Sequence, residues 1–272
     1  MKTCLENMRA LRPLIHNITN YVTVNDVANA LLAIGASPIM ADDAAEVEDI
    51  TSICAALNVN IGTLNKSTIP SMKLAAKKAE SLGHKIVLDP VGAGASALRT
   101  NTALELLDAV RFDVVRGNIS EIKTLAFGNG TTKGVDADFS DSVSQENLSD
   151  AISFAKKTAA KLKCVVAITG AIDLVSDANE TYVIKNGLPQ MSAITGTGCQ
   201  LSALVAAFVA ANPENVLKAA AAAVCAMGLC GELAWKRMRE GEGNSTYRNR
   251  IIDALYNLQG EQLERGANYE KR

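Results

Sequence analysis

Thr195-Gly196-Thr197-Gly198-Cys199 stands between a β-rich run and an apolar helical stretch. Its glycines permit close backbone approach. The helix start that follows offers free N–H groups and the positive end of a dipole, so Gly196, Thr197 and Gly198 form a candidate anion hole for a phosphate. The same residues also suit an ordinary strand-to-helix turn. The lysine of GxxxxGK[ST] is absent, so this is not a P-loop. Asp89-Pro90-Val91-Gly92-Ala93-Gly94 ends the apolar run KIVLDP. A strand-end carboxylate there can hold Mg²⁺ directly or through water, or can serve only as a cap. Arg116-Gly117-Asn118-Ile119-Ser120-Glu121 follows FDVVRG. Arg116 suits phosphate, while Asn118 and Glu121 suit hydrated magnesium; their three-residue spacing equally suits a helix capping box. Thr169-Gly170 again directly follows an apolar run, CVVAIT. Four strand ends bearing such residues point jointly to a magnesium–nucleotide site for phosphoryl transfer, where positioning and charge neutralisation do most of the work.

The elements that must position these motifs alternate along the chain. Val24, Val27, Leu31 and Ile34 recur at helical spacing over 24–34, with Gly35 as a stop. SPIM (37–40) reads as a short strand. Val47, Ile50, Cys54 and Leu57 mark a helix, and Val59 to Ile61 a strand. A helix from Pro70 to Leu82 leads to KIVLDP, Leu104 and Leu107 belong to another, and FDVVRGN is the next strand. Gly128 to Asn147 is a polar loop, 148–162 a helix, and CVVAITG a buried strand. Ile172 to Ile194 holds three short β runs broken by DAN and NGLP, as expected of antiparallel strands at one edge. Helices over 199–211, 214–239 and roughly 247–263 follow, and the polar tail after Gly266 is expected to fray. No repeat or linker interrupts the pattern. The expectation is one α/β domain, residues 1–272, with a mostly parallel, doubly wound sheet, helices on both faces, and ligands beyond the carboxyl ends of the strands.

Composition narrows the partners. With 27 Lys plus Arg against 29 Asp plus Glu, the net charge is −2, which excludes a polybasic nucleic-acid binder. High hydrophobicity with little net charge excludes a disordered chain. Only 5 Phe, 5 Tyr and 1 Trp are present, so the core must be Ala, Val, Ile and Leu. The apolar stretches Ala203 to Ala211 and Ala219 to Gly231 are short for a membrane span and read as buried helices. The first residues, with Glu6, Arg9 and Arg12, do not form a signal peptide. Six cysteines without a CxxC pair fit the reduced thiols of a cytoplasmic protein. His16 and His84 have no partner at metal-ligand spacing, Cys225 and Cys230 read as core, and Met40, by itself, reads as packing.

In combination, HNITNYV (16–22), GASPIMA (35–41), NIGTL (60–64), LDPVGAGAS (88–96), RGNISEI (116–122), KGVDA (133–137), AITG (167–170) and TGTGC (195–199) resemble the hydroxyethylthiazole kinase family of the ribokinase-like superfamily, over nearly the whole chain. The resemblance implies a ribokinase-like fold without a separate lid domain. It further implies ATP-dependent, Mg²⁺-assisted phosphorylation of the primary alcohol of 4-methyl-5-(2-hydroxyethyl)thiazole in thiamine salvage. By position, Arg116 and Thr169 match nucleotide-binding residues, and Met40 and Gly196 match substrate-binding ones, with Asn20 placed to meet the substrate. Asn118 and Glu121 match the Asn-x-x-Glu element tied to magnesium and phosphate, and Asp89 would help hold the same ion. The family pattern is a homotrimer with each substrate pocket at a subunit boundary. Where the wider superfamily has Asp as the general base, this chain has Cys199, as is common in the thiazole kinases. Two other readings compete: a related kinase for hydroxymethylpyrimidine or another vitamin alcohol, and a nucleotide-binding protein without turnover. A dinucleotide oxidoreductase fits the layering but lacks GxGxxG after the first strand.

Overall fold

The computed structural model describes residues 1–127 and 142–272. The KGVDA motif and most of the polar loop from Gly128 to Asn147 lie outside the described residues. The chain opens with α1 (Lys2–Leu11), β1 (Leu14–Ile18), α2 (Val24–Ile34), β2 (Ser37–Met40), α3 (Val47–Ile53) and β3 (Ala56–Asn60). It continues with α4 (Thr68–Ser81), β4 (Lys85–Asp89), α5 (Ala97–Ala109), β5 (Val114–Asn118), α6 (Ile119–Phe127), α7 (Leu148–Leu162) and β6 (Val165–Thr169). The last third holds β7 (Asp173–Ser176), β8 (Thr181–Ile184), a 3₁₀ turn (Pro189–Ala193), α8 (Thr197–Ala211), α9 (Val216–Trp235), α10 (Asn244–Asn257), α11 (Gly260–Gly266) and β9 (Tyr269–Lys271).

Among the described residues nine strands form one sheet in the order β2-β1-β3-β4-β5-β6-β7-β8-β9. The first six pair in parallel, and β7, β8 and β9 add antiparallel at one edge. Side chains alternate across the sheet with period two, so each strand feeds two cores. Ile15, Ala56, Val87, Val114 and Ala167 face a core built with α1, α2, α8, α9 and α10. Ile18, Leu57, Leu88, Val115 and Ile168 face a second core built with α4, α5, α6 and α7. This is the mostly parallel, doubly wound α/β architecture expected, with all described strands in the one sheet and no separate lid sheet among them.

Several boundaries differ from the sequence reading. Cys54 and Leu57 fit the helical period of α3, yet α3 stops at Ile53, Cys54 takes an extended conformation, and Leu57 lies in β3. The Ala55 N–H donates to the Leu14 carbonyl, so pairing with β1 overrides the periodicity. The third β run before Ile194 is instead the 3₁₀ turn. The polar tail does not fray: Tyr269–Lys271 pairs with β8, because an edge strand offers free backbone groups to any extended segment. Finally, Pro213–Trp235 spans 23 residues at mean hydropathy 1.6, so its length does not exclude a membrane span. In this fold it packs against α8 and α10, and its apolar surface is buried core.

Candidate active site

The strand order reverses once, because β2 lies to one side of β1 and β3 to the other. A reversal of this kind opens a crevice at the carboxyl ends of the two strands that flank it. Asn20 follows β1 there, Asn60 closes β3, and α8 points its N-terminus at the same place. The Gln200 N–H already reaches the Gly196 carbonyl, which leaves the N–H groups of Thr197, Gly198 and Cys199 as the open first turn of α8. The helix begins two residues earlier than the apolar pattern suggested, so the anion-hole motif is the helix start itself. Gly196 adopts φ +85°, and a Cβ on it would stand 2.3 Å from the Thr23 side chain. A Cβ on Gly198 would stand 2.5 Å from Arg116 Nη1, so glycine lets the guanidinium tuck under the helix end.

Arg116 therefore connects two compartments. Its Nη2 donates to Thr169 Oγ1 at 2.6 Å, and its Nη1 lies 3.5 Å from Asp89 Oδ2. On one side is a cavity of about 510 Å³, with Arg116, Asn118, Thr169, Thr197 and Gly198 in its lining. Leu188, Pro189, Val224 and Met227 line it as well. A polyanion with a flat aromatic group fits this mixed lining: cation and helix dipole for the anion, hydrocarbon for the ring. Asp173 also borders the cavity and accepts the Gly170 N–H at 2.8 Å. Desolvation pushes its carboxyl up to about 7, against the pull of that hydrogen bond and of Arg116.

On the other side is a buried polar cluster. Asp89 is fully buried, and its Oδ2 accepts from Asn60 Nδ2 at 2.8 Å and Ser202 Oγ at 2.7 Å. Burial raises its pKa, while Arg116 and these hydrogen bonds favour the carboxylate. Asn60 Oδ1 accepts the Gly62 N–H at 2.9 Å and Asn20 Nδ2 at 3.0 Å. Asn20 Nδ2 also donates to Cys199 Sγ at 3.2 Å, and Asn20 Oδ1 accepts from Thr23 N and Oγ1. The backbone donors of Gly62 and Thr23 settle which way each amide faces, so hydrogen is presented to the sulfur rather than taken from it. Burial, with Asp89 nearby, pushes the Cys199 thiol above its ordinary value, against the pull of these donors.

The expected magnesium residues are arranged differently from one another. Asn118 Oδ1 accepts the Glu121 N–H, and Glu121 Oε2 accepts the Asn118 N–H, both at 2.8 Å, which is a reciprocal capping box at the start of α6. Glu121 Oε1 accepts the Gly92 N–H at 2.8 Å and so ties the loop after β4 to α6. No preformed cluster of three His, Cys, Asp or Glu ligands exists among the described residues. Asp89 Oδ1, however, is buried with no hydrogen-bond partner. An orphaned carboxylate oxygen suits a hydrated Mg²⁺, which takes one or two carboxylates and completes its shell with water and phosphate oxygens.

The cavity thus gathers Arg116, Asn118, Thr169, Thr197 and Gly198, while Asp89, Asn20 and Cys199 form the cluster behind Arg116. Met40 ends β2 opposite Asn17 and is half-buried, outside both groups. Asn20, expected to meet the substrate, has its donors and acceptors engaged within the protein and stands behind Cys199. The sequence reading missed Asn60 and Ser202. The available signal was two polar residues, Asn58 and Asn60, inside an otherwise apolar strand (ALNVN).

Known proteins resemble this chain in sequence and in fold. The model of the hydroxyethylthiazole kinase family matches residues 5–261. A hydroxyethylthiazole kinase of Clostridium acetobutylicum is 60% identical over 270 residues, 99% of each chain. The structure of a hydroxyethylthiazole kinase protein from Pyrococcus horikoshii OT3 superposes with TM-score 0.88 at 36% identity, over 99% of this chain and 98% of that one. A pyridoxal kinase from Staphylococcus aureus in complex with ADP shares the fold at TM-score 0.62 and 16% identity, over 95% and 97% of the two chains. A family match across 5–261 and 60% identity over the full length leave one assignment: this chain belongs to the hydroxyethylthiazole kinase family.

Proposed function

We propose that the protein, acting as one domain over residues 1–272 in the cytoplasm, transfers the γ-phosphoryl group of ATP to the primary hydroxyl of 4-methyl-5-(2-hydroxyethyl)thiazole. The product would enter thiamine synthesis by salvage. The observation that carries this reading is the position of Arg116, which joins the Thr169 side of the cavity to the Asp89–Cys199 cluster. In that arrangement Arg116 and Thr169 hold the nucleotide phosphates, and the N–H groups of Thr197 and Gly198 receive the transferring group. Met40 and Gly196 border the thiazole, with Asn20 orienting Cys199 from behind. Cys199 then sits where the alcohol proton departs. The test is ADP release from ATP that depends on the added thiazole alcohol.

When bound, Mg²⁺ would neutralise charge on the phosphate oxygens, and Asp89 and Glu121 are the residues that would hold it. Asn118 contributes by capping α6 and fixing Glu121. Glu121→Gln is expected to leave thiazole affinity nearly unchanged and to raise the magnesium needed for half-maximal turnover by about 10-fold, roughly the effect of one outer ligand contact. A magnesium titration of the variant checks this, and normal turnover at limiting magnesium would contradict it.

The chain is further proposed to form a homotrimer that closes the thiazole pocket. Tyr21 and Val22, just past Asn20, are 76% and 59% exposed, and Leu32 on the neighbouring α2 is 57% exposed. Large exposed apolar side chains at both ends of one helix are the composition expected of an interface. Light scattering should give three times the 28.6 kDa chain mass, whereas a fully active monomer would rule the trimer out.

A further inference from the structure

His16 lies in the middle of β1 and is fully buried. Its two ring nitrogens have different partners. Nε2 lies 2.8 Å from the carbonyl oxygen of Ala41, and Nδ1 lies 2.9 Å from Thr51 Oγ1. A carbonyl only accepts, so Nε2 carries the hydrogen and donates it, and Nδ1 accepts from the threonine hydroxyl. Burial lowers the imidazole's affinity for a second proton, which keeps this neutral form.

Ala41 directly follows Met40. The ladder between β1 and β2 runs from Leu14↔Ser37 to Asn17↔Met40 and stops there. Because β2 is the edge of the sheet, no strand among the described residues flanks its other side. After Ala41 the chain is exposed from Asp42 to Glu46 before α3 begins. The Ala41 carbonyl therefore lies past the last rung, between a half-buried Met40 and an exposed loop. The contact that holds it is the imidazole of the next strand. Thr51, on α3, fixes the ring from the opposite edge.

We propose that His16 is a positioning residue for the acceptor end of the site: its Nε2–H pins the backbone at Ala41 and thereby sets where Met40 stands. The proposal rests on the reading of Met40 as a thiazole-facing residue. His16 does not touch the reacting atoms. Its loss loosens the strand end that recognises the acceptor and leaves the nucleotide side, across β3 to β6, as it was.

Two substitutions separate the ring's bonds. His16→Gln places an amide N–H near the Nε2 position and can keep the bond to Ala41 while losing the one to Thr51. His16→Asn can keep the acceptor for Thr51 but falls short of Ala41. Titration calorimetry with the thiazole alcohol alone, without ATP, should show His16→Asn binding about 10-fold more weakly, the scale of one lost buried hydrogen bond. His16→Gln and Thr51→Val should bind within about threefold of wild type, and the KM for ATP should hold within about twofold in all three. A merely structural role would weaken all variants together, or both ligands together, and that result would overturn the proposal. So would His16→Asn binding like wild type. If His16→Asn does not fold, nitrogen-15 NMR of the wild type decides instead, since only two histidines must be told apart. A His16 protonated on Nε2 is expected, and protonation on Nδ1 would overturn the assignment. Wild-type protein that fails to bind the thiazole alcohol would instead overturn the proposed function, an outcome distinct from normal wild-type binding with an indifferent His16.

Discussion

Asp89→Asn is expected to lower kcat by about 10²–10³-fold while the protein keeps its fold and its KM for ATP. An asparagine oxygen can still accept from Asn60 and Ser202, the two hydrogen bonds that pack Asp89 into the cluster. What disappears is the negative charge 3.5 Å from Arg116 Nη1 and the unpartnered oxygen Oδ1. Arg116 then loses its fixed counter-charge and with it the alignment between Thr169 and the α8 N-terminus. Alignment of this kind acts on the transition state rather than on ground-state binding, so the loss belongs in kcat. Steady-state kinetics at saturating thiazole, with a thermal melt of the same sample, check it. If Asp89 is only a strand-end cap, the variant will turn over within about threefold of wild type.

The second large effect is expected at Cys199. Its thiol is raised above the ordinary value by burial and by Asp89, so at neutral pH it is mostly protonated and works poorly as a base. Removing it as Cys199→Ala should lower kcat by about 10-fold, below the ~10²–10⁴ range of a well-matched general base. Phosphoryl transfer through a loose transition state leaves the alcohol proton to depart late, so base strength matters less than alignment. Cys199→Asp should keep or raise turnover, because Asn20 Nδ2 already presents a hydrogen at this position and favours an anion there. The sign with pH follows. Wild-type kcat should climb as pH rises toward the thiol's raised pKa, whereas the Asp variant, a carboxylic acid with an ordinary pKa several units below a thiol's, should reach its plateau at lower pH than wild type. A silent alanine and an inactive aspartate would remove Cys199 from the proton's path.

The strand ends were legible in sequence because each apolar run stops on a residue that no buried strand needs: Asp89, Arg116 or Thr169. The α8 start was legible from its glycines. The choice between capping box and metal site at Asn118 and Glu121 was not, because both uses require the same spacing. The structure has the box in place, each side chain accepting from the other's backbone N–H. Asn60 showed only as a polar residue in an apolar strand and Ser202 carried no local signature, since what matters is that Asn60 faces Asp89 on the adjacent strand and Ser202 reaches it from a helix 113 residues later. Asn20 was recognised as part of the site, but its orientation depends on Thr23 and Asn60, which only the fold brings together. β9 was illegible for a different reason. Three residues, YEK, are too few to show a strand pattern; the open edge of β8 makes them one.

The central claim is that this chain phosphorylates a thiazole alcohol. Its most direct test is ADP release from magnesium-ATP by purified protein against a panel of alcohols: the hydroxyethylthiazole, hydroxymethylpyrimidine, pyridoxal, ribose and a blank without acceptor. Turnover with the hydroxyethylthiazole is expected to exceed that with every other acceptor by at least about 10-fold, the discrimination that one well-fitted pocket supplies, with the blank near zero. Nucleotide binding without ADP release on any acceptor, or faster turnover on the pyrimidine alcohol, would contradict it.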